Sequence, residues 1–376
     1  MEPITHLMTG ACMSRAGLGQ KSRLAALTLV MAAEFPDIDV VAYAKNPVYG
    51  FAHHRGITHA ILAVPINAAL VLLLVYAYFQ YLRSRPTSRT QISVTTPQWG
   101  RLFMYACMSS AAHIVLDFTN SYGIRPFEPF SHKWYSWDIV FVVEPIIFAV
   151  LLIGLLLPSL LSLAYPSENF YIRAVRYRKI AAISALTFIP LLCGLRHIQH
   201  QRAVATLRLT LIDGAAPLRV SASPYWLNVF RWQGVLETLD SYQIVEVNSF
   251  TRQIASLRTT VLHKAVDTPA VRSAQKSFLG RVYLDWAQLP FIQVEERPGH
   301  AKGFTVWFYE MRFYYPQMRT KMLNASVDVA ANLEVVGEHF GRSRSEPAMR
   351  DEELAHPRQE NVREQAPLPQ LSQRGP

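Results

Sequence analysis

Long apolar runs constrain the fold of this chain more than any other feature of its sequence. Residues 57–82 and 139–163 are each long enough for a tilted membrane-spanning helix, which needs roughly 17–25 residues. A last apolar segment covers residues 180–195. Backbone polar groups inside a bilayer must be hydrogen-bonded within the protein, so runs of this kind fold as helices. Residues 1–200 are therefore predicted to form a polytopic helical membrane domain.

Three further segments of this region are predicted to be helical. Residues 6–19 and 24–35 are near the lower length limit for a span, which indicates two short helices that are only partly inserted. Residues 99–118 have helical character but include ionisable side chains, so they do not form a plain lipid-facing span. A signal peptide cleaved near Ala33 is the less favoured alternative, because this run leads directly into an acidic segment.

The positive charges indicate how the helices are oriented. The formal net charge is +10 at pH 7, but no basic block alternates with aromatic residues, so nucleic-acid binding is not expected. Basic residues next to apolar runs keep a loop cytoplasmic. Those assigned to the cytoplasmic side are Lys21, Arg23, Arg83, Arg85, Arg89, Arg101 and the basic residues of 173–179, whereas Arg196, Arg202 and Arg208 run against the rule. The other face of the domain is then predicted to be on the periplasmic or outer side.

The sequence pattern changes after residue 203. The segments 206–212, 241–247, 291–294 and 304–309 predict strands, and 267–278 predicts a helix. The fold class is therefore mainly α, a helical membrane domain followed by a soluble α+β domain at 203–340, which we expect on the same side as the ligand cluster described below. Residues 341–376 are charged and rich in Pro and Gln, which predicts a disordered tail.

The cysteines do not indicate a redox or metal framework. Cys12, Cys107 and Cys193 are few, odd in number and set in apolar surroundings. They are predicted to be small buried hydrophobic residues rather than partners in a disulfide or ligands of a thiolate zinc site.

Several potential metal ligands lie next to the apolar runs in the sequence. Residues 53–59 read His-His-Arg-Gly-Ile-Thr-His and lie at the start of the longest run. His113 and Asp117 are four residues apart, which places both on one face of a helix. The residues that the predicted topology collects on one face are His6, Asp37, Asp39, His53, His54, His59, His113 and Asp117. Imidazole and carboxylate are ligands that zinc prefers and that also suit manganese and iron, so these residues predict a divalent metal site.

Each of these patterns has a simpler interpretation when it stands alone. A His-x-x-x-Asp pair is more often a buried hydrogen-bonded pair, and an Asp-Ile-Asp segment is usually a helix cap or turn. The His-His-Arg-Gly segment could bind lipid phosphate as a basic patch, with Arg55 an ordinary interfacial residue. Their joint occurrence on one face favours the metal site, because an ionisable group at membrane depth is costly unless it is paired or metal-bound.

Several short motifs occur together in this chain. They are Thr5-His6, Pro36-Asp37-Ile38-Asp39, residues 53–59, His113-Ile-Val-Leu-Asp117 and residues 120–123. Together they resemble the YdjM/YfhP-type inner-membrane metal-dependent hydrolases of bacteria. Residues 126–138 and 230–238 resemble that family's continuation, so the resemblance covers roughly residues 1–250. The family is itself similar to zinc-dependent phospholipase C and P1-type nuclease.

This resemblance implies an activity and a set of site residues. The implied metal ligands are His6, Asp37, His53 or His54, His59, His113 and Asp117. The implied activity is hydrolysis of phosphoester bonds in a phospholipid-like or lipid-linked substrate by metal-activated water. In such a hydrolase Asp37 or Asp39 would orient the water and Arg55 would stabilise the developing charge. The chain lacks a clear second His-x-x-x-Glu or His-x-x-x-Asp helix, which argues against a full three-metal cluster.

Two functions from other classes remain open on the sequence. The protein could be a membrane adaptor with a structural metal site, whose soluble domain binds a protein partner. It could also be a transporter in which His113 and Asp117 relay a proton or a metal ion. A closed four-ligand metal sphere would favour the adaptor, whereas an open position for water would favour the enzyme.

Overall fold

The computed structural model describes most of the chain. The described residues are 1–19, 23–84, 97–164, 168–212, 214–297, 303–316, 320–341 and 352–353. The predicted tail lies outside these residues, except Gly341 and the short strand Glu352–Glu353. The predictions for Lys21, Arg85 and Arg89 also lie outside them. Two regions are seen, a helical one up to Arg208 and a sheet-rich one from Arg219 onward.

The first region consists of helices joined by short segments. The helices are α1 Pro3–Met13, α2 Arg23–Glu34, α3 Pro47–His53, α4 Ala63–Ser84, α5 Trp99–Phe118, α6 Pro145–Ala164 and α7 Glu168–Arg208. A π-helical turn, Ser14–Leu18, extends α1, and 3₁₀ segments cover Phe35–Ala44 and Ile57–His59. Local chemistry fixes several boundaries. At α3, for example, the Asn46 side chain accepts a hydrogen bond from the Tyr49 N–H at 2.7 Å, and Pro47 occupies the first turn.

Three of these helices are long and apolar enough to cross a membrane. They are α4, α6 and the Ala174–Arg208 part of α7, and they coincide with the three predicted runs. Apolar side chains cover their outward faces, as lipid contact requires. The 41 residues of α7 extend for about 62 Å, roughly twice the thickness of a bilayer core. A bilayer core would therefore cover only part of α7, and the polar residues from Arg196 onward mark the part outside the apolar segment.

The helices alternate in direction, and this alternation collects the important segments at one end. The N-termini of α1, α4 and α6 lie at the same end as the C-termini of α2, α5 and α7. Direct contacts show it: Ser109 Oγ donates to Leu29 O at 2.6 Å, and Arg178 Nη2 donates to Ser162 Oγ at 3.2 Å near the opposite end. Trp99 packs on the ring of Phe79, close to that opposite end. The segments 35–62 and 119–144 therefore share one end with the C-terminal part of α7.

The second region contains two antiparallel sheets and two helices. The strands are β1 Arg219–Pro224, β2 Arg231–Glu237, β3 Ser241–Asn248, β4 Gln253–His263, β5 Pro290–Arg297, β6 Gly303–Glu310, β7 Tyr314–Tyr315, β8 Thr320–Lys321, β9 Ala325–Ala330, β10 Val335–Phe340 and β11 Glu352–Glu353. Among the described residues the larger sheets have the orders β1-β2-β3-β4-β11 and β10-β9-β6-β5. Helices α8 Pro269–Lys276 and α9 Phe278–Trp286 replace the single predicted helix, because Ser277 interrupts the run and caps α9.

The strand predictions at 241–247, 291–294 and 304–309 are confirmed, but the one at 206–212 is wrong. Helix α7 continues to Arg208 instead. Leu209 and Leu211 suggested an alternating strand, yet both side chains are exposed. Leu207 is buried one helical turn after Ala203, in a cluster with Trp232 of β2. The alternation of leucines predicts a strand, but burying the helical face that carries Ala203 and Leu207 stabilises a helix here instead.

The sheet region rests on the end of the helical region that carries the 119–144 segment. Trp286 Nε1 donates to Tyr122 O at 3.0 Å, and Arg312 Nη1 donates to Asp138 Oδ1 at 3.2 Å. Phe51 of α3 lies in the same hydrophobic cluster as Trp286 and residues of β6 and β9. These contacts anchor α3 and the 119–144 segment, which adjoin the segments that carry the predicted ligands.

A buried ion pair explains one of the three basic residues of α7 that run against the charge rule. Arg196 Nη2 lies 3.0 Å from Glu144 Oε2, and both side chains are fully buried. The same guanidinium donates to the carbonyl oxygens of Tyr225 and Trp226 at 3.4 and 3.5 Å. Its charge is therefore neutralised inside the protein, where it ties α6, α7 and the sheet region together.

Candidate metal centre

Four side chains from three separate segments converge at the end of the helical region. They are Asp37, His59, His113 and Asp117, and one ligand atom from each lies within 4.8 Å of all the others. His59 Nε2 is 3.2 Å from His113 Nε2, 3.3 Å from Asp37 Oδ1 and 3.2 Å from Asp117 Oδ2. His113 Nε2 is 3.5 Å from Asp37 Oδ1 and 3.4 Å from Asp117 Oδ2. The four atoms thus face a common centre.

The local sequence explains why each side chain points inward. His113 and Asp117 are one turn apart on the same face of α5. Pro36 follows the end of α2 and has no N–H for a helical hydrogen bond, so the chain turns into the 3₁₀ segment that carries Asp37. His59 ends the short 3₁₀ turn before α4, and the Asn67 amide holds that turn by donating to Thr58 O at 2.9 Å.

The hydrogen bonds behind the two imidazoles fix their tautomers. His113 Nδ1 lies 2.6 Å from Ala33 O, and a carbonyl only accepts, so the proton is on Nδ1. His59 Nδ1 faces Asp39 Oδ2 at 3.3 Å and Thr58 Oγ1 at 3.1 Å, which places its proton there as well. Both Nε2 atoms then direct a lone pair at the common centre, as in carboxylate–histidine–metal arrangements.

The residues fit a divalent metal ion. Two imidazole lone pairs and two carboxylate oxygens face each other, and within the described residues Asp37 Oδ1 and Asp117 Oδ2 have no hydrogen-bond partner. A bound cation would relieve the mutual repulsion of such a set. The five atom pairs above are 3.2–3.5 Å apart, close to the separation of about 3.3 Å between ligands bonded at about 2.0–2.1 Å to tetrahedral zinc. Manganese and iron accept the same donors.

Asp39 supports the centre from behind. It accepts hydrogen bonds from His54 Nδ1, the Arg55 N–H and Thr58 Oγ1, each at 2.9 Å. Burial raises the pKa of Asp39, but the hydrogen bonds from His54 and His59 outweigh it and hold that pKa well below the usual range. Burial lowers the pKa of His54, which favours the neutral ring. Asp37, Asp39 and His54 also lie close enough together to form a second three-ligand group.

Arg55 is buried beside the centre rather than extended to the membrane surface. Its Nη2 lies 2.9 Å from Asp117 Oδ1, and its Nη1 donates to Asn120 Oδ1 at 3.1 Å. The guanidinium also covers the ring of Tyr122 at 4.7 Å. Its backbone has a φ of 54°, a left-handed conformation that is strained for a non-glycine residue. The interpretation as an interfacial residue is therefore wrong, and Arg55 instead holds Asp117 in place.

Comparison with known proteins identifies the family of this chain. A family model described as YdjM inner membrane protein matches residues 1–203, which include all four converging side chains. The chain belongs to this family. It is also 27% identical over 118 residues to the "Uncharacterized protein YfhP" of Bacillus subtilis (strain 168), an alignment that covers 31% of each chain. No solved structure shows significant similarity to the chain. The resemblance drawn from the motifs is confirmed, and this YdjM-family chain is an inner membrane protein.

The structure places the other two predicted ligands of this YdjM-family chain differently. His6 is buried and stacks on His113 with ring centroids 3.7 Å apart, and its Nε2 lies 3.3 Å from Asp117 Oδ1. His53 is exposed, and its Nδ1 lies 2.8 Å from Tyr49 O. Of the adjacent pair, His54 turns toward Asp39 and His53 turns away, because α3 ends between them. His53 belongs to neither group of converging ligands.

Sequence reasoning missed several residues that complete this YdjM-family site. Asn120 Oδ1 accepts from Arg55 and from the Tyr122 N–H at 2.9 Å, although residues 120–123 were recognised only as a family motif and given no role in the site. Thr58 bridges Asp39 and His59. Glu34 ends α2, and its Oε2 is buried without a hydrogen-bond partner among the described residues. Only the closeness of these residues to the motifs could have indicated a role. Several of their contacts could not be predicted, because the partners are distant in sequence.

A cavity of about 490 Å³ opens next to the centre of this YdjM-family protein. Asp39 and Thr58 belong to its wall, which makes it continuous with the polar shell of the centre. Arg125, Glu128 and His132 line another part. Ile38, Val41 and Ile57 also line it and are exposed. The cavity therefore lies between Asp39, which contacts His59, and exposed apolar side chains in the segments that precede α4.

Proposed function

We propose that this protein is a membrane-bound metal-dependent hydrolase that acts on phosphoester bonds of a phospholipid-like or lipid-linked substrate. The observation that carries the proposal is the convergence of two imidazole lone pairs and two carboxylates beside a cavity with an apolar mouth. Such a donor set suits a divalent cation, and its distances are compatible with tetrahedral zinc.

The residues of the chain have distinct tasks in this proposal. Asp37, His59, His113 and Asp117 hold the ion, which would lower the pKa of a bound water to about 7. Asp39 keeps the His59 ring oriented by accepting from its Nδ1 side. Arg55 neutralises one oxygen of Asp117, so that the site carries less excess negative charge toward an anionic substrate.

The surroundings of the cavity support a lipid substrate. Exposed apolar side chains at the mouth, such as Ile38 and Ile57, lie near the start of the spanning helix α4. Acyl chains could remain beside these residues while a phosphoester reaches the polar wall formed by Asp39, Thr58 and Arg125. A water-soluble substrate would gain nothing from this apolar mouth.

The orientation of the protein forms part of the proposal. The described basic residues next to apolar runs, such as Arg83, Arg101 and Arg176, lie toward the end opposite the ligand group. If that end is cytoplasmic, as the positive-inside rule favours, the centre and the sheet region are periplasmic. Labelling of single introduced cysteines with a membrane-impermeant reagent would test this.

Two neighbouring histidines provide a matched test of the function. His59→Ala removes a converging ligand, whereas His53→Ala removes an exposed imidazole six residues earlier. We expect His59→Ala to lose bound metal together with hydrolysis of phospholipid or phosphodiester substrates. His53→Ala should keep its bound metal, and because His53 lines the proposed substrate cavity, only metal content is compared between the two variants. Equal metal content in the two variants would refute the metal centre. Metal loss in His59→Ala, with no hydrolysis by the native protein, would refute the hydrolase alone.

A structural metal site in a membrane adaptor is the second candidate. It is favoured by the number of protein ligands, because four fill a tetrahedral sphere and leave no position for water. X-ray absorption spectroscopy of the metal-loaded protein separates the two. Four protein ligands alone would favour the adaptor, and additional oxygen ligands from water would favour the enzyme.

A further inference from the structure

The sheet region carries an exposed apolar surface at one end. The loop 225–230 joins β1 to β2, and the turn 249–252 joins β3 to β4. The exposed residues of this surface, here called the apolar edge, are Trp226 (46% exposed), Leu227 (59%), Phe230 (36%) and Phe250 (70%). The rings of Phe230 and Phe250 are 5.6 Å apart, so loop and turn form one continuous surface. Apolar residues grouped in this way mark a contact with a partner or a membrane.

The apolar edge lies beside the end of the apolar segment of α7. Arg196, the first residue after the apolar part of α7, donates to the carbonyl oxygens of Tyr225 and Trp226. Val229 of the same loop packs against the hydrophobic cluster of α1, α6 and α7. The edge is therefore continuous with the apolar surface of helices that are long enough to span the bilayer.

The path of the sheet confirms which end faces the membrane. The ring of His200 lies 5.3 Å from that of Trp232, near the start of β2. Further along both elements, Leu207 shares a buried cluster with Leu236. α7 and β2 thus run in the same direction, away from the membrane. The turn after β2, which carries Leu239, is consequently at the far end of the sheet.

Positive charge next to the apolar edge matches the chemistry of lipid head groups. A cavity of about 600 Å³ is lined by His197, Arg202 and Arg252, among other residues. Arg252 belongs to the same turn as Phe250. Basic side chains beside an apolar surface are attracted to the phosphates of anionic lipids. The opposite end of the sheet would be too far from the bilayer to contact these phosphates.

We propose that the apolar edge is inserted in the lipid interface of the leaflet on the side of the ligand group. The partner is the bilayer itself: Trp226, Leu227, Phe230 and Phe250 lie among head groups and upper acyl chains, and the arginines face phosphate. Interfacial apolar faces enter about 5–10 Å into the boundary between head groups and acyl chains, where aromatic residues are enriched. The sheet region is then held over the metal centre by lipid as well as by protein.

Two leucines on opposite ends of β2 provide the test. Leu227→Cys and Leu239→Cys are labelled with an environment-sensitive fluorophore in the full-length protein, which is placed in nanodiscs of phosphatidylethanolamine and phosphatidylglycerol. Both native leucines are strongly exposed to solvent in the protein alone, at 59% and 85%. The unsubstituted protein, with its three cysteines, gives the labelling background.

We expect the label at 227 to be blue-shifted, quenched by a nitroxide lipid with a shallow spin label, and protected from aqueous iodide. The label at 239 should show the reverse. Equal iodide quenching at the two positions would overturn the proposal, because the edge would then be in water. Protection of 227 from both quenchers would overturn it too, because the loop would then be buried against protein.

Discussion

The substitution Asp37→Asn should change the sign of its effect on stability when the metal is removed. Asp37 Oδ1 faces Asp117 Oδ2 within 4.8 Å and has no hydrogen-bond donor among the described residues. With an ion present it is a ligand, and its loss weakens binding. Without an ion, the Asp37 carboxylate is one of two negative charges that face each other. Removing its charge then lowers the electrostatic repulsion in the folded protein. The expected result is a variant that is less stable than the native protein with metal and more stable in chelator.

The magnitudes follow from the geometry. Two unit charges 4.8 Å apart repel by about 3.5 kcal/mol at an effective dielectric constant of 20. The new amide can also donate to His59 Nε2 and His113 Nε2, at about 0.5–1.5 kcal/mol for each hydrogen bond. Because Arg55 and the Met1 ammonium, which both contact Asp117 Oδ1, already neutralise part of the Asp117 charge, we expect a net gain of about 1–2 kcal/mol in chelator. An ion at a hundredfold excess over its Kd stabilises the native protein by about 2.7 kcal/mol, and hundredfold weaker binding leaves about 0.4 kcal/mol.

Unfolding of the detergent-purified protein, followed by intrinsic fluorescence with added zinc and with chelator, measures this change of sign. Asp285→Asn is the matched control, because Asp285 is an exposed carboxylate that accepts from Trp134 Nε1 at 3.2 Å, outside the ligand group. The control should respond to metal as the native protein does. If Asp37→Asn is equally destabilising with zinc and with chelator, the lone pairs do not converge on an ion and the reasoning fails.

Three further predictions follow from named contacts. Asp39→Asn should weaken zinc binding by about 10–100-fold in a competition titration, because Asp39 orients His59; unchanged affinity would contradict that role. Glu144→Gln should lower the free energy of unfolding by about 3–5 kcal/mol, because it leaves Arg196 buried without a counter-charge; replacing both by apolar residues should recover most of this loss. Burial lowers the folded-state pKa of His54, so its protonation favours unfolding. Relative to a His54→Gln variant, the metal-free native protein should therefore lose stability as the pH falls below about 6.5, and parallel profiles of the two proteins from pH 5 to 8 would contradict this.

The helices of the membrane domain could be predicted closely because their signal is local. Residues 99–118 were predicted as one helix, and α5 has the same bounds. An apolar run of sufficient length permits only a helix in lipid, whatever the rest of the chain does. The strand prediction for residues 206–212 was wrong because the structure of this segment depends on distant contacts. Its leucines alternate as in a strand, but the contact of Leu207 with the sheet region, distant in sequence, keeps it helical.

The candidate site was predicted in its residue types but not in its arrangement. Spacing within one helix was enough to pair His113 with Asp117. Spacing could not distinguish His53 from His54, because the direction of each ring depends on where α3 ends. It also could not show that Arg55 is buried, since the contact of its side chain with Asn120 joins residues 65 positions apart.

The sequence by itself determined that this chain crosses a membrane and carries imidazoles and carboxylates at the ends of its helices. Both properties depend on composition over one or a few helical turns, so neighbours in sequence suffice to define them. Only the tertiary structure decided that Asp37, His59, His113 and Asp117 face one centre with their lone pairs free. That outcome depends on the second hydrogen bond of each imidazole, to Ala33 O and to Asp39, and these partners are positioned by the packing of α2, α4 and α5.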